Sequence, residues 1–176
     1  MLDVTVRVDD TPTNVAGLTF TNTADYTYNR LNDAPATILG GTPGTSAPIT
    51  VVEPELTLEK TGPPQMQLGV PGTFTLNVHN VGGSPAHALT IYDVLPNQAD
   101  GGMCDAAPVN LAAQLYEADG VTPIGAALLN GVDYQATFNG DPACTFTLVM
   151  LTPAASIGGD QRLIVTYDTL LDADTQ

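Results

Sequence analysis

Apolar residues in this chain recur at every second position, in short runs punctuated by glycine and proline. Leu18, Phe20, Ala24, Tyr26 and Tyr28 alternate with Thr19, Thr21, Thr23, Asp25 and Thr27, and Val4, Val6 and Val8 alternate with Asp3, Thr5 and Arg7. A period of two sends alternate side chains to opposite faces of an extended strand and cannot build the stripe of an amphipathic helix. Further runs of this kind cover 49–52, 56–60, 74–79, 88–94, 111–117, 134–138, 145–150 and 162–169; within them Leu111 to Tyr116 also admits a helical turn. The breaks between runs are explicit turns: Thr61-Gly62-Pro63-Pro64, Pro71-Gly72, Val81-Gly82-Gly83, Asp119-Gly120 and Gly158-Gly159-Asp160. Strong helix formers are scarce, with Glu limited to positions 53, 55, 59 and 117, Lys to 60 and Arg to 7, 30 and 162. Many short strands joined by turns predict an all-β chain folded as a sandwich.

The charge balance narrows the partners. Four basic residues against nineteen acidic ones give a formal net charge of −15. Such a surface repels nucleic acid and anionic lipid, both of which select basic patches. With 43% hydrophobic and only 13% charged residues, the chain is nonetheless able to form a core. No apolar run reaches the length of a membrane span, and Leu2 to Asp10 does not read as a signal peptide.

Residues 32–52 interrupt the strand pattern with Gly, Pro and small polar residues, and read as a linker or long loop. They divide the chain into an arm, 1–31, and a larger block, 53–176. Val4-Thr5-Val6 with Asp9-Asp10 resembles Val165-Thr166-Tyr167 with Asp172-Ala173-Asp174. The arm therefore reads as the closing strands of one repeat and the block as most of the next, although two unrelated strands ending in acidic turns fit the same residues.

One residue breaks the logic of the pattern. Lys60 is the only lysine, and it follows Leu56 and Leu58 on the face that parity turns inward. Asn22 continues the face of Leu18 and Phe20, and Asp93 that of Leu89 and Ile91. An amine, a carboxamide and a carboxyl set among apolar groups can form a Lys–Asn isopeptide bond: the neutral amine attacks the carboxamide carbon, the carboxyl shuttles protons, and ammonia leaves. Burial favours the neutral forms that this reaction needs. A plainer arrangement fits too, with Lys60 snorkelling outward, Asn22 in a turn and Asp93 capping a loop.

Several segments carry a family resemblance. Glu53-Pro54-Glu55-Leu56-Thr57-Leu58-Glu59-Lys60-Thr61-Gly62 and Gly72-Thr73-Phe74-Thr75-Leu76-Asn77-Val78-His79-Asn80-Val81-Gly82 resemble the opening of prokaryotic cell-surface tandem-repeat domains, including the isopeptide-forming fimbrial and adhesin type. Ala88 to Pro96 is similar to the Asp-x-Leu-Pro strand end of that family, and Leu163 to Asp174 to its penultimate strand. The family's closing Leu-Thr-Asn-x-Ala motif is absent after Gln176 and stands instead at Leu18-Thr19-Phe20-Thr21-Asn22-Thr23-Ala24. The resemblance implies an immunoglobulin-like β-sandwich repeat over 53–176 lacking its last strand, and an extracellular location on a surface fibre or adhesin. It also implies Lys60 and Asn22 as the cross-linked residues, with Asp93 as the acid. Because Asn22 precedes Lys60, the two belong to successive repeats or to different molecules. The partners expected are adjacent repeats or copies of the chain, assembled head to tail. Two other uses remain open at this point: a filament subunit whose arm completes its neighbour by strand addition, and a ligand-binding adhesin domain.

In an acidic, Thr-rich chain resembling exported repeats, Cys104 and Cys144 read as one disulfide, closing a loop of about 40 residues worth roughly 3–4 kcal/mol. No metal or cofactor is expected. Two cysteines with the scattered His79 and His87 make no zinc site. Asp9-Asp10 and Asp172-Ala173-Asp174 are the only calcium candidates, and a solvated acidic surface is the better account of them. No nucleophile elbow or phosphate-binding glycine loop is present, so turnover of an external substrate is not expected; the only chemistry anticipated is the chain's own isopeptide formation.

Overall fold

A computed structural model describes residues 11–29, 38–98 and 101–173. The chain divides into two units, Met1–Glu53 and Pro54–Gln176. The described residues are nearly all β, with one short 3₁₀ turn at Pro153–Ala155. Val4 to Val8, Asp9-Asp10 and Asp174 lie outside the described residues, and with them part of the internal repeat and of the calcium candidates.

The first unit holds an antiparallel ribbon. Its outgoing limb is β1 (Thr19–Phe20), β2 (Thr23–Ala24) and β3 (Thr27–Asn29); its returning limb is β4 (Ile38–Gly40), β5 (Gly44–Thr45) and β6 (Ile49–Thr50). β1 pairs with β6, β2 with β5 and β3 with β4. Within 32–52, expected as a linker or loop apart from the strand-like run 49–52 that holds β6, β4 and β5 are strands as well. Gly and Pro concealed them because the pairing partner lies in the other limb, beyond local pattern. Leu18, Phe20, Tyr26, Tyr28 and Ile49 remain exposed on the ribbon.

The second unit is a β-sandwich. A five-stranded sheet runs in the order β13 (Pro123–Leu128), β12 (Val109–Tyr116), β16 (Arg162–Thr169), β8 (Gly72–Asn80), β7 (Leu56–Thr61). A three-stranded sheet runs β14 (Tyr134–Asn139), β15 (Thr145–Met150), β9 (Thr90–Val94), and β10 (Asn97–Gln98) pairs with β11 (Gly101–Gly102). Leu111 to Tyr116 is strand, not a helical turn. Strict alternation in β15 and β16 buries Phe146, Leu148 and Met150 on one sheet and Leu163, Val165 and Tyr167 on the other. These meet Leu76, Val78, Ile91 and Ile157 in one core.

Two features secure the loops around that core. Cys104 and Cys144 form a disulfide with Cα atoms 5.3 Å apart. Asn80, fully buried, accepts from the Glu55 and Gly82 amides and donates to the carbonyls of Ser84, Ile157 and Gly158. A buried carboxamide satisfied at both its oxygen and its nitrogen offsets its loss of water and ties three loops to one point.

Candidate cross-linking site

β7 and β9 are each the last strand of their sheet, and both end at the same place. Lys60 Nζ donates to Asp93 Oδ1 at 2.6 Å. The parity argument therefore holds for Lys60, which turns inward across the sandwich rather than snorkelling away. Its ammonium lies 5.2 Å from the centre of the Phe74 ring and 6.0 Å from that of Tyr167, within range of cation–π attraction.

Asp93 is almost fully buried, whereas the Lys60 side chain is one-third exposed (33% against 7%). The second carboxylate oxygen accepts from the Tyr167 hydroxyl at 2.5 Å. Tyr167 is fully buried, stacked at 5.7 Å on Phe74 and tilted at 5.0 Å against Phe146. Its phenol is held far above the ordinary tyrosine range, first by burial and then by the hydrogen bond to Asp93 and that carboxylate's charge. It stays a donor, and Asp93 stays fixed in orientation. Tyr167 entered the sequence reading only through a strand motif. Its signal was available in the parity of Leu163, Val165 and Tyr167, since a buried phenol requires a polar partner.

Chemically, the pair is one proton transfer away from a neutral amine beside a neutral carboxylic acid. That couple can attack a carboxamide carbon at Nζ, polarise the carbonyl and return a proton to the departing ammonia. The exposed third of Lys60 supplies the open side from which a carboxamide can approach.

Asn22 belongs to the first unit's ribbon. Its amide donates to Ser46 Oγ at 2.9 Å, its carbonyl accepts from the Ser46 amide at 2.8 Å, and the residue is exposed. Of the three residues singled out from sequence, two therefore meet.

The expectation that Leu56 and Leu58 are buried is not met. They share Lys60's inward face, yet remain 40% and 55% exposed. The reason is the mismatch between five strands and three: the smaller sheet stops at β9, short of covering the inner face of β7 before Lys60. A groove results, walled by Leu56, Leu58 and Val78 on one side and by Leu89, Ile91 and Tyr92 on the other.

His79 contacts Asp160 at 3.1 Å, and His87 contacts Ser156 at 2.8 Å. Among the described residues no group of three or more His, Cys, Asp or Glu side chains could hold a metal ion. No protein-family model, curated protein or solved structure matches the chain.

Proposed function

We propose that this chain is a structural module of an extracellular surface fibre or adhesin. In this reading an immunoglobulin-like sandwich joins its neighbour head to tail through an amide between Lys60 and an asparagine on an incoming strand. The observation that supports it most is the Lys60–Asp93–Tyr167 arrangement, 2.6 Å and 2.5 Å across one carboxylate, at the open end of an apolar groove. A lysine needed only for solubility has no reason to be the single one in the chain and to face a buried carboxylate. The reaction consumes no cofactor: the Nζ–carbonyl bond forms, the carbon–amide nitrogen bond breaks, and ammonia carries off the leaving nitrogen. The disulfide and the resemblance of 53–62, 72–82 and 88–96 to surface-repeat domains agree with an exported setting.

The test is mass spectrometry of assembled material after denaturation and proteolysis. The expected product is a branched peptide containing Lys60 and lighter by one ammonia than its two arms, absent from Lys60→Ala and Asp93→Ala. Unbranched Lys60 peptide throughout would end the reading.

A further inference from the structure

The groove between β7 and β9 has the form of a missing strand. Both walls are sheet edges, each paired on one side only among the described residues, and both are regular. β7 pairs with β8 from Leu56↔Asn80 to Thr61↔Thr75 without a register shift, as does β9 with β15. Edges that avoid pairing are usually blunted by proline, bulges or twist. β13, the opposite edge of the large sheet, is built that way, with Pro123, Gly125 at φ +67° and a register shift against β12. β7 has none of this.

The walls also carry a shared pattern. Leu56, Leu58, Lys60 on one side and Leu89, Ile91, Asp93 on the other each place two apolar residues before a polar one, at i, i+2 and i+4. Their polar ends touch, so both strands run towards the ion pair. Leu76, Val78, Asn80 has the same order but is sealed in the core, its carboxamide already satisfied. Leu18, Phe20, Asn22 has it too, and is exposed. Its two apolar members are 39% and 37% accessible, on a two-stranded ribbon, a structure only marginally stable in water by itself.

We infer that the groove is filled by the 18–28 strand of a second copy of this chain, running parallel to β7 and β9. In that register Leu18 and Phe20 cover Leu56, Leu58 and Ile91, and Asn22 arrives at the level of Lys60 and Asp93. Each copy then offers one strand and receives another, a heterologous contact that propagates as a linear series. The inference rests on the cross-linking reading for its chemistry, but strand insertion itself needs no covalent bond.

The experiment uses the full chain. Sedimentation across concentration is expected to show a ladder of oligomers. Phe20→Asp disables the inserted strand and Leu58→Asp the groove, each weakening self-association by about tenfold or more. Mixed together, the two variants should recover association that stops at the dimer, because one intact strand meets one intact groove. As an independent measurement, Asn22→Cys chains mixed with Lys60→Cys chains should form a disulfide-linked dimer, and Thr21→Cys chains in place of the former should not. Wild-type monomers at all concentrations overturn the inference. So does a mixture of the two aspartate variants without dimers, together with Asn22→Cys and Lys60→Cys chains that stay unlinked. Native association without a branched Lys60 peptide leaves strand insertion standing and removes the cross-link. A branch from Lys60 to an asparagine other than Asn22 does the reverse.

Discussion

The Tyr167 hydroxyl donates to the oxygen of Asp93 that Lys60 leaves open, so one buried carboxylate is held from both sides, by an uncharged donor and a charged one. The two partners differ in exposure, Tyr167 being sealed in the core and Lys60 reaching solvent. This division of labour keeps the carboxyl fixed while the amine can be approached.

Stability should fall at alkaline pH through Tyr167. Its folded-state ionisation lies above the unfolded value near 10. Above that pH the unfolded chain releases a proton that the native chain keeps, so the native state binds more protons and unfolding is favoured as pH rises. The stabilisation is complete below pH 10 and declines above it by up to about 1.4 kcal/mol per pH unit for this group. Denaturant titrations at stepped pH should show the decline, and Tyr167→Phe should make it shallower.

Lys60 and Asp93 should be energetically coupled. Breaking a buried pair leaves an uncompensated charge, but the partial exposure of Lys60 screens the interaction. A double-mutant cycle with Lys60→Met and Asp93→Asn is expected to give a coupling of about 1–3 kcal/mol. Additive losses would mean that the 2.6 Å contact contributes nothing to the fold.

Reduction of Cys104–Cys144 should destabilise the second unit by about 3–4 kcal/mol, the chain-entropy value for a loop of this length. Asp172 reinforces the same loop, accepting from the Cys104 amide at 2.6 Å and the Asp105 amide at 2.8 Å. Asp172→Ala should therefore cost about 1–3 kcal/mol even with the disulfide intact, since it leaves a buried donor without a partner. Thiol labelling of unfolded, unreduced protein should find no free cysteine.

Self-association should strengthen with salt. Two copies of net charge −15 repel, whereas the groove and the 18–28 strand meet mainly through apolar side chains. Sedimentation at rising ionic strength should shift the population towards oligomers; the opposite trend would indicate an interface built on ion pairs.

Much of the second unit was legible because its strands obey strict parity. Arg162–Thr169 and Thr145–Met150 have the bounds expected from alternation alone, and the same parity turned Lys60 towards Asp93. β13 escaped notice because an edge strand with Gly125 and consecutive alanines need not alternate. In the ribbon's returning limb β6 falls within the strand-like run 49–52, but β4 and β5 escaped for a different reason. Both strands are two or three residues long and exist by virtue of a partner in the outgoing limb, which no local pattern records. The exposure of Leu56 and Leu58 depends on the strand count of the facing sheet, a property of topology rather than of their own segment. Tyr167 meets Asp93 across 74 positions, and only its burial hinted at a partner.

The sheet order also determines how the second unit answers a pull. β7 and β16, near its two ends, are both antiparallel to β8 and so run in the same direction on either side of it. Leu56, where tension enters, lies opposite Asn80 at one end of β8, while Thr169, where it leaves, lies opposite Gly72 at the other. Force is therefore applied along the strands, in shear, and loads the rungs of both ladders together instead of opening them one after another. A domain pulled through these two strands would yield late and abruptly rather than unzip rung by rung.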